Sequence, residues 1–527
     1  MKDTLKVEGE NAATALLKRL SLGIGSSAMS HGIGALQSFG LVPFFLRGWG
    51  SETYGRWLAL TAMISYLSLF DLGGQTYVGN LLAIAHARSE RPVFVRRLSQ
   101  GVSLFLVLGL AAFAALLIVL GVALRVPLPG LHRSLEHWEV LVIGALAANF
   151  LVLSLPGGIY ITAYRATGLF ARGTMVANVT RLVGLVAMGA ALFLRVSPTV
   201  LALVILGIGI VGTTTLVLDT RRCIPQCRSL QIHWENAKAG WRELRGGAFQ
   251  FWKISIAQAL GQQAIVLVVA ATTGPEGVVL YSTHRTLSNI PSYVGGLLQA
   301  PILPELSAMW GGGQLERMFR TARLSIRVAV LLTGVLALAV WIAAPVVYPA
   351  WTDKQLRISS GLLATLLVDA MIAAGGISAA WMMLATNHHR SVAKWSLLNS
   401  AIALGIAAIL LPRLGVFGAA VGTLTGNVLC AGVALPVLSA RFVKVKVGQI
   451  YCQIGWAWLA LVPATALMLI SSLWLKGWWS VGLFGIASFV LAYPALRVAL
   501  GRSATHRALS LLLPRVFVGP IETGNPR

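Results

Sequence analysis

Most of the side chains here that could do chemistry lie inside long apolar runs. Arg285, Arg181 and Lys253 are cations in such runs, Asp71 and Asp369 are carboxylates, and Asn289, Gln258, Gln262 and His31 are neutral polar groups. An ionisable group at the centre of a bilayer costs about 2.5 to 3.5 kcal/mol on insertion scales, so it is expected to face a bundle interior or a water-filled cavity. Arg285 stands out first. It lies eight residues into its run, about 12 Å deep at about 1.5 Å per residue, too deep to reach that interface easily. Asn289 is one turn on and shares its face. A guanidinium there offers forked donors to phosphate or acidic sugar oxygens, or a bridge to a carboxylate on a neighbouring helix.

Arg181 and Lys253 lie about two turns from the ends of their runs. Long cationic side chains at that depth either snorkel to the headgroups or draw an anionic headgroup into a cavity. Lys253 points more than a third of a turn away from the Ser255, Gln258, Gln262 stripe of its own helix, so the two faces line different surfaces. Asp71 and Asp369 sit near mid-run and suit either proton coupling or a helix-to-helix ion pair, with Arg285 as a partner. The shift that relates the two halves of the chain takes Asp369 onto the neutral Asn149. His31 and Gln37 lie among Gly23, Gly25, Gly32 and Gly34. Small residues let helices approach closely, so packing is the first reading and cavity lining the second.

These residues need helices that cross a membrane, and the composition demands them. Of the residues, 57% are apolar and 11% charged, with a mean hydropathy of +0.77. A soluble domain carries about 25% charged residues. Fourteen apolar stretches are long enough to span, with approximate limits 23–46, 57–83, 98–124, 138–164, 175–194, 199–220, 247–271, 277–303, 326–349, 359–386, 393–411, 415–440, 450–474 and 478–499. Residues 1–22 have no apolar core, so the first stretch reads as a retained helix rather than a cleaved signal. The net charge of +25 follows from topology: 27 of the 42 lysines and arginines fall on the side that holds both termini, against 9 on the other. The positive-inside rule then places both termini in the cytoplasm and removes the motive for nucleic-acid binding.

The chain also carries traces of an internal repeat. Gly55 in Glu-Thr-Tyr-Gly matches Gly277 in Pro-Glu-Gly at an offset of 222, and Ala166-Thr167 matches Ala385-Thr386 at 219. The reading that follows is an N-terminal segment at 1–22, a first six-helix lobe at 23–220, a linker at 221–246 and a second lobe at 247–440. Two added helices at 441–499 and a basic tail at 500–527 complete it.

Leu69-Phe70-Asp71-Leu72-Gly73-Gly74 resembles the Asp-Leu-Gly signature of polysaccharide exporters and Wzx-type O-antigen flippases, of the multidrug/oligosaccharidyl-lipid/polysaccharide superfamily. Tyr281 through Pro304, with Asn289 and Pro291, is similar to that family's eighth helix and the loop after it. Leu411-Pro412-Arg413-Leu414-Gly415-Val416-Phe417-Gly418 is similar to its motif before the twelfth. The resemblance covers roughly residues 20 to 440. It implies an all-α polytopic protein with two MATE-like six-helix lobes about a central cavity, plus two C-terminal helices. It also implies a bacterial inner-membrane protein moving undecaprenyl-pyrophosphate-linked oligosaccharide outward, for O-antigen or exopolysaccharide synthesis. Its partners would be that substrate, membrane lipids, and the polysaccharide polymerase and chain-length machinery.

Other readings fare less well. A proton- or sodium-coupled multidrug antiporter of the same superfamily would use Asp71 and Asp369 as its cation sites. A glycan polymerase or ligase would need a large outer catalytic loop, and the longest here is about fourteen residues, between Leu124 and Trp138. Gly207-Ile-Gly209-Ile-Val-Gly212 fits a dinucleotide pattern but lies in a membrane helix with no strand before it. Cys223, Cys227 and His233 have the wrong number and spacing for zinc. With no phosphate-binding Gly-Lys-Ser/Thr loop, no cofactor is expected beyond a coupling ion, H+ or Na+.

Overall fold

A computed structural model describes residues 25–26, 29–30, 32–71, 73–124, 136–247, 263–299, 302–386 and 388–474. Among them every regular element is helical, and ten helices are long and apolar enough to cross a membrane. The fourteenth expected span lies outside the described residues. After a helix at 32–40 come α1 (Val42–Ser65), a 3-10 turn (Tyr66–Asp71), α2 (Gly74–Ala87), α3 (Arg91–Ala123) and α4 (His137–Ala147). A π-helical turn (Ala148–Ser154) leads into α5 (Leu155–Ala166), α6 (Phe170–Phe193), α7 (Pro198–Cys223) and the connector helix α8 (Trp234–Gly247). Then follow α9 (Ile265–Gln299), α10 (Ile302–Gly311), α11 (Leu315–Trp351), α12 (Ser360–Ala385) and α13 (His389–Leu414). The last are α14 (Val416–Asn427), a second π turn (Val428–Ala434), α15 (Leu435–Val443) and α16 (Val447–Trp474).

The backbone repeats itself between the two halves. Gly50 (φ 73°, ψ 177°) breaks α1, and Gly274 (φ 72°, ψ −173°) breaks α9 at the matching place. Only glycine adopts this conformation freely, because a Cβ would strain it. The turn at Ser89 (φ 58°) bonds Ser89 N to His86 O and Glu90 N to Ala85 O. The turn at Gly313 (φ 69°) stands at the same offset from Ser89 as Gly274 does from Gly50. It repeats the pattern through Gly313 N to Trp310 O and Gln314 N to Met309 O. Thr167 and Thr386, paired by the repeat, end their helices with nearly the same dihedrals.

The chain divides into two compact units, each discontinuous in sequence. The first holds residues up to Thr286 with Pro349–Arg357 and Ser396–Thr423. Its core joins Phe45 stacked on Tyr54 (centroids 4.7 Å apart) to the buried Leu46, Trp57 and Leu192. A second cluster gathers Phe94, Phe105, Tyr160 and Tyr164. Gly55 is needed where the Pro275 backbone crosses it: a Cβ there would lie 2.1 Å from the Pro275 carbonyl oxygen. The connector expected between the halves is an amphipathic helix, α8, lying along α3. It buries Ala237 and Leu244, pairs Glu243 with Arg97 at 3.7 Å, and leaves Trp234 and Trp241 exposed.

The second unit holds Leu287–Tyr348, Ile358–Trp395 and the residues from Leu424. Here α12 packs on the second π turn, and a Cβ on Gly376 would lie 1.8 Å from the Ala431 carbonyl oxygen. Ser439 donates to the Ala379 carbonyl at 2.9 Å. Arg327 donates to Gln453 at 2.6 Å and lies over the Trp456 ring. The guanidinium is thereby held by a neutral acceptor and an aromatic face.

Candidate functional site: a cationic cavity in the first unit

The π turn after α4, together with α5, α6 and α7, lines an open cavity of about 460 Å³, joined by Gln37 from the helix at 32–40. It exists because the helices lack bulk where it opens. Gly157 and Gly158 on α5, Gly184 on α6 and Gly209 and Gly212 on α7 all line it. The π turn adds a residue to the helical ladder and turns Asn149 and Ser154 into the space; such turns often mark functional sites. The Ser154 hydroxyl donates to the Asn149 carbonyl at 3.0 Å, and Thr180 donates to Val176 O at 3.1 Å, so both internal donors are used within their own helices.

Arg181 is the one ionisable group lining this cavity among the described residues, and it is exposed. Among those residues it has no hydrogen-bond or ion-pair partner, and no carboxylate joins it on the wall. A cation beside low-dielectric walls and without a counter-charge attracts an anion more strongly than it would in bulk water. The Asn149 side-chain oxygen adds a second unmet demand: it is buried and has no partner among the described residues. Such a group costs about 1–3 kcal/mol until a donor, from water or a ligand hydroxyl, reaches it.

The residue that the internal repeat sets opposite Asn149 differs from it in having a partner. This counterpart in the second unit, Asp369, accepts from the Asn427 amide at 2.8 Å. Among the described residues the first half offers Asn149 no such amide. The Asn149 oxygen packs over Gly209 instead, where a Cβ would lie 1.8 Å from it. One half closes this position with a hydrogen bond, and the other leaves the oxygen buried without a donor, on a residue that lines the cavity.

The remaining expected residues fall in several places. Arg285 and Asn289 lie half-buried on α9; Arg285 is engaged by another group and does not line this cavity. His284 is fully buried, its Nδ1 2.8 Å from Leu280 O, consistent with packing. Asp71 makes no ion pair among the described residues. It sits in the 3-10 turn and accepts from Gln75 N at 3.2 Å, capping α2 where Gly73 (φ 69°) interrupts the second span. His31, Lys253, Gln258 and Gln262 lie outside the described residues. Gln37, for which the sequence favours packing, lines the cavity beside Arg181.

Sequence reading misses one cluster altogether. Where α5 and α7 end and α6 begins, Asp219 takes two bonds from Arg172 (Nε 3.0 Å, Nη2 2.7 Å) and one from the Tyr164 hydroxyl. Asp219 is far along the chain from both partners, so no local pattern announces them.

No family model and no curated protein matches this sequence. Solved structures do match its fold. An inward-facing multidrug resistance MATE family transporter of the MOP superfamily aligns at TM-score 0.60 and 14% identity, covering 82% of this chain and 98% of its own. The same family's outward-facing form aligns at 0.53 and 14% identity over 82% and 95%. The lipid II flippase MurJ, in an inward closed conformation, aligns at 0.64 and 10% identity over 90% and 99%. At these identities the likeness is one of fold, and the fold of this chain is the all-helical fold of the MATE and MurJ transporters.

Proposed function

We propose that the protein is a flippase that carries an undecaprenyl-pyrophosphate-linked oligosaccharide, an O-antigen or exopolysaccharide repeat unit, outward across a bacterial inner membrane by alternating access. The observation that carries this reading is the first-unit cavity, whose only charge among the described residues is the unpartnered Arg181 guanidinium. A pyrophosphate supplies the charge Arg181 lacks, and forked N–H donors suit its oxygens. Both termini lie in the cytoplasm under this reading, and downstream polymerase machinery receives the product. Arg285, on α9, and Lys253 are the other two cations of the proposal.

The second reading, a proton- or sodium-coupled cation antiporter, draws on the likeness to MATE transporters and would centre on Asp71 and Asp369. A cavity whose single charge is positive argues against a cationic cargo at this place.

The test deletes the gene and follows undecaprenyl-linked saccharides by leaflet, in spheroplasts probed with an impermeant lectin. Intermediates trapped on the cytoplasmic face, released by wild type and not by Arg181→Ala, support the flippase. Variants at Arg285 and Lys253 belong in the same series. Unchanged glycan with altered sensitivity to cationic drugs overturns it in favour of the antiporter.

A further inference from the structure

The seam between α6 and α7 has two open sides. Its inner side is the Arg181 cavity. Its outer side is a second recess of about 530 Å³, walled by Met175, Val179 and Val183 from α6 and by Val204, Gly207 and Val211 from α7. Four residues, Val176, Thr180, Ile208 and Gly212, line both recesses, so the partition is a single layer of side chains. At Gly212 even that layer thins: the Thr180 methyl fills the place of a Cβ, 2.3 Å from where one would be.

The outer recess is apolar and faces outward, with Val179, Val183 and Val211 exposed at 51%, 56% and 66%. It has a floor because Gly207 leaves one; a Cβ there would meet nothing within 4 Å. The glycines at 207, 209 and 212, a dinucleotide pattern in appearance, therefore serve a wall. Gly207 hollows the outer face, Gly209 admits Asn149 on the inner face, and Gly212 thins the partition.

We propose that this outer groove holds the hydrocarbon chain of the same lipid whose anionic headgroup is held by Arg181 across the seam. The inference rests on the flippase reading and adds to it the site and route of the tail. A headgroup held at Arg181 is tethered to a hydrocarbon chain too long for a cavity of about 460 Å³, so the chain leaves through a wall. The α6–α7 partition is one side chain thick and gives directly onto an apolar trough beside an unpaired cation. Hydrocarbon gains little by moving from lipid into an apolar groove, so the groove acts by shape: it fixes where the tail hangs while the head is bound.

The test titrates the purified full chain in nanodiscs with two lipids by native mass spectrometry. Undecaprenyl pyrophosphate carries head and long tail; isopentenyl pyrophosphate carries the same head with five carbons. Gly207→Phe fills the groove where there is open space, and Ile210→Phe places the same ring on an exposed part of α7 outside it. Thermal midpoints confirm that both variants fold.

The expected result is that Gly207→Phe weakens undecaprenyl pyrophosphate at least tenfold and leaves isopentenyl pyrophosphate within twofold, while Ile210→Phe changes neither. If Gly207→Phe leaves the long lipid unchanged while Arg181→Ala weakens both, the groove is overturned and the flippase reading stands. Equal loss of both lipids in Gly207→Phe also overturns the groove, because the effect is then on the head. If wild type binds neither lipid, the flippase reading fails and the groove falls with it.

Discussion

Replacing Arg181 with alanine tests whether the cavity is an anion site. The side chain has no partner among the described residues, so its removal strands no carboxylate there and should leave stability unchanged. Its worth to a bound pyrophosphate can be bounded. A hydrogen bond to a charged group contributes about 1.5–3 kcal/mol. Unit charges about 4 Å apart attract by about 4 kcal/mol at an effective dielectric near 20, before the cost of desolvating the pyrophosphate is subtracted. The lower figure is the one to use, and it corresponds to roughly 10- to 150-fold in Kd. Arg181→Ala should therefore weaken undecaprenyl pyrophosphate binding by that factor, measured in nanodiscs. Arg181→Lys keeps the charge and loses the fork, and should fall between the two. Arg181→Glu should abolish binding. A twofold or smaller change in Arg181→Ala, with the variant folded, refutes the assignment of the headgroup to this cavity.

Other outcomes follow from named contacts. Asp71→Asn keeps an acceptor for Gln75 N, so transport should persist if the residue is a helix cap and vanish if it carries a proton; Asp71→Ala should lower stability by about 1 kcal/mol. Gly209→Ala should destabilise the fold and lower glycan export, because its Cβ meets the Asn149 oxygen, whereas Gly207→Ala should leave the thermal midpoint unchanged or slightly raised. Asp219→Ala removes the acceptor of the fully buried Tyr164 and should cost about 1–3 kcal/mol, read as a lower thermal midpoint with lipid binding intact. Burial pushes the Cys227 thiol up to about 12, so at neutral pH it stays protonated and N-ethylmaleimide should label it only after denaturant is added. Labelling of native Cys227 at a rate near that of a free thiol would show the connector to be open.

How much of this is legible in the sequence differs from residue to residue. Gly55 and Gly277 reveal the internal repeat, because a repeat is a property of order along the chain. Asp71 is legible as special and not as a cap: its partner is the backbone N–H of Gln75, which carries no side-chain signal. Arg285 outranks Arg181 on depth alone, since depth follows from counting residues at a fixed rise. What neighbouring helices put beside each cation does not follow from counting. The fold finds Arg285 engaged and leaves Arg181 facing a cavity without a counter-charge among the described residues.

The sequence by itself determined that the chain is helical and spans a membrane, and where the charge bias lies along it. These are one-dimensional properties, fixed by hydropathy, rise per residue and periodicity. Only the tertiary structure decided which polar groups meet. Asp219 with Arg172 and Tyr164, Asp369 with Asn427, and Asn149 with the empty place at Gly209 each join groups from helices well separated along the chain. A side chain's neighbours across a helix interface depend on crossing angle, rotation and the absence of bulk at particular glycines. Those quantities exist only once the helices have packed.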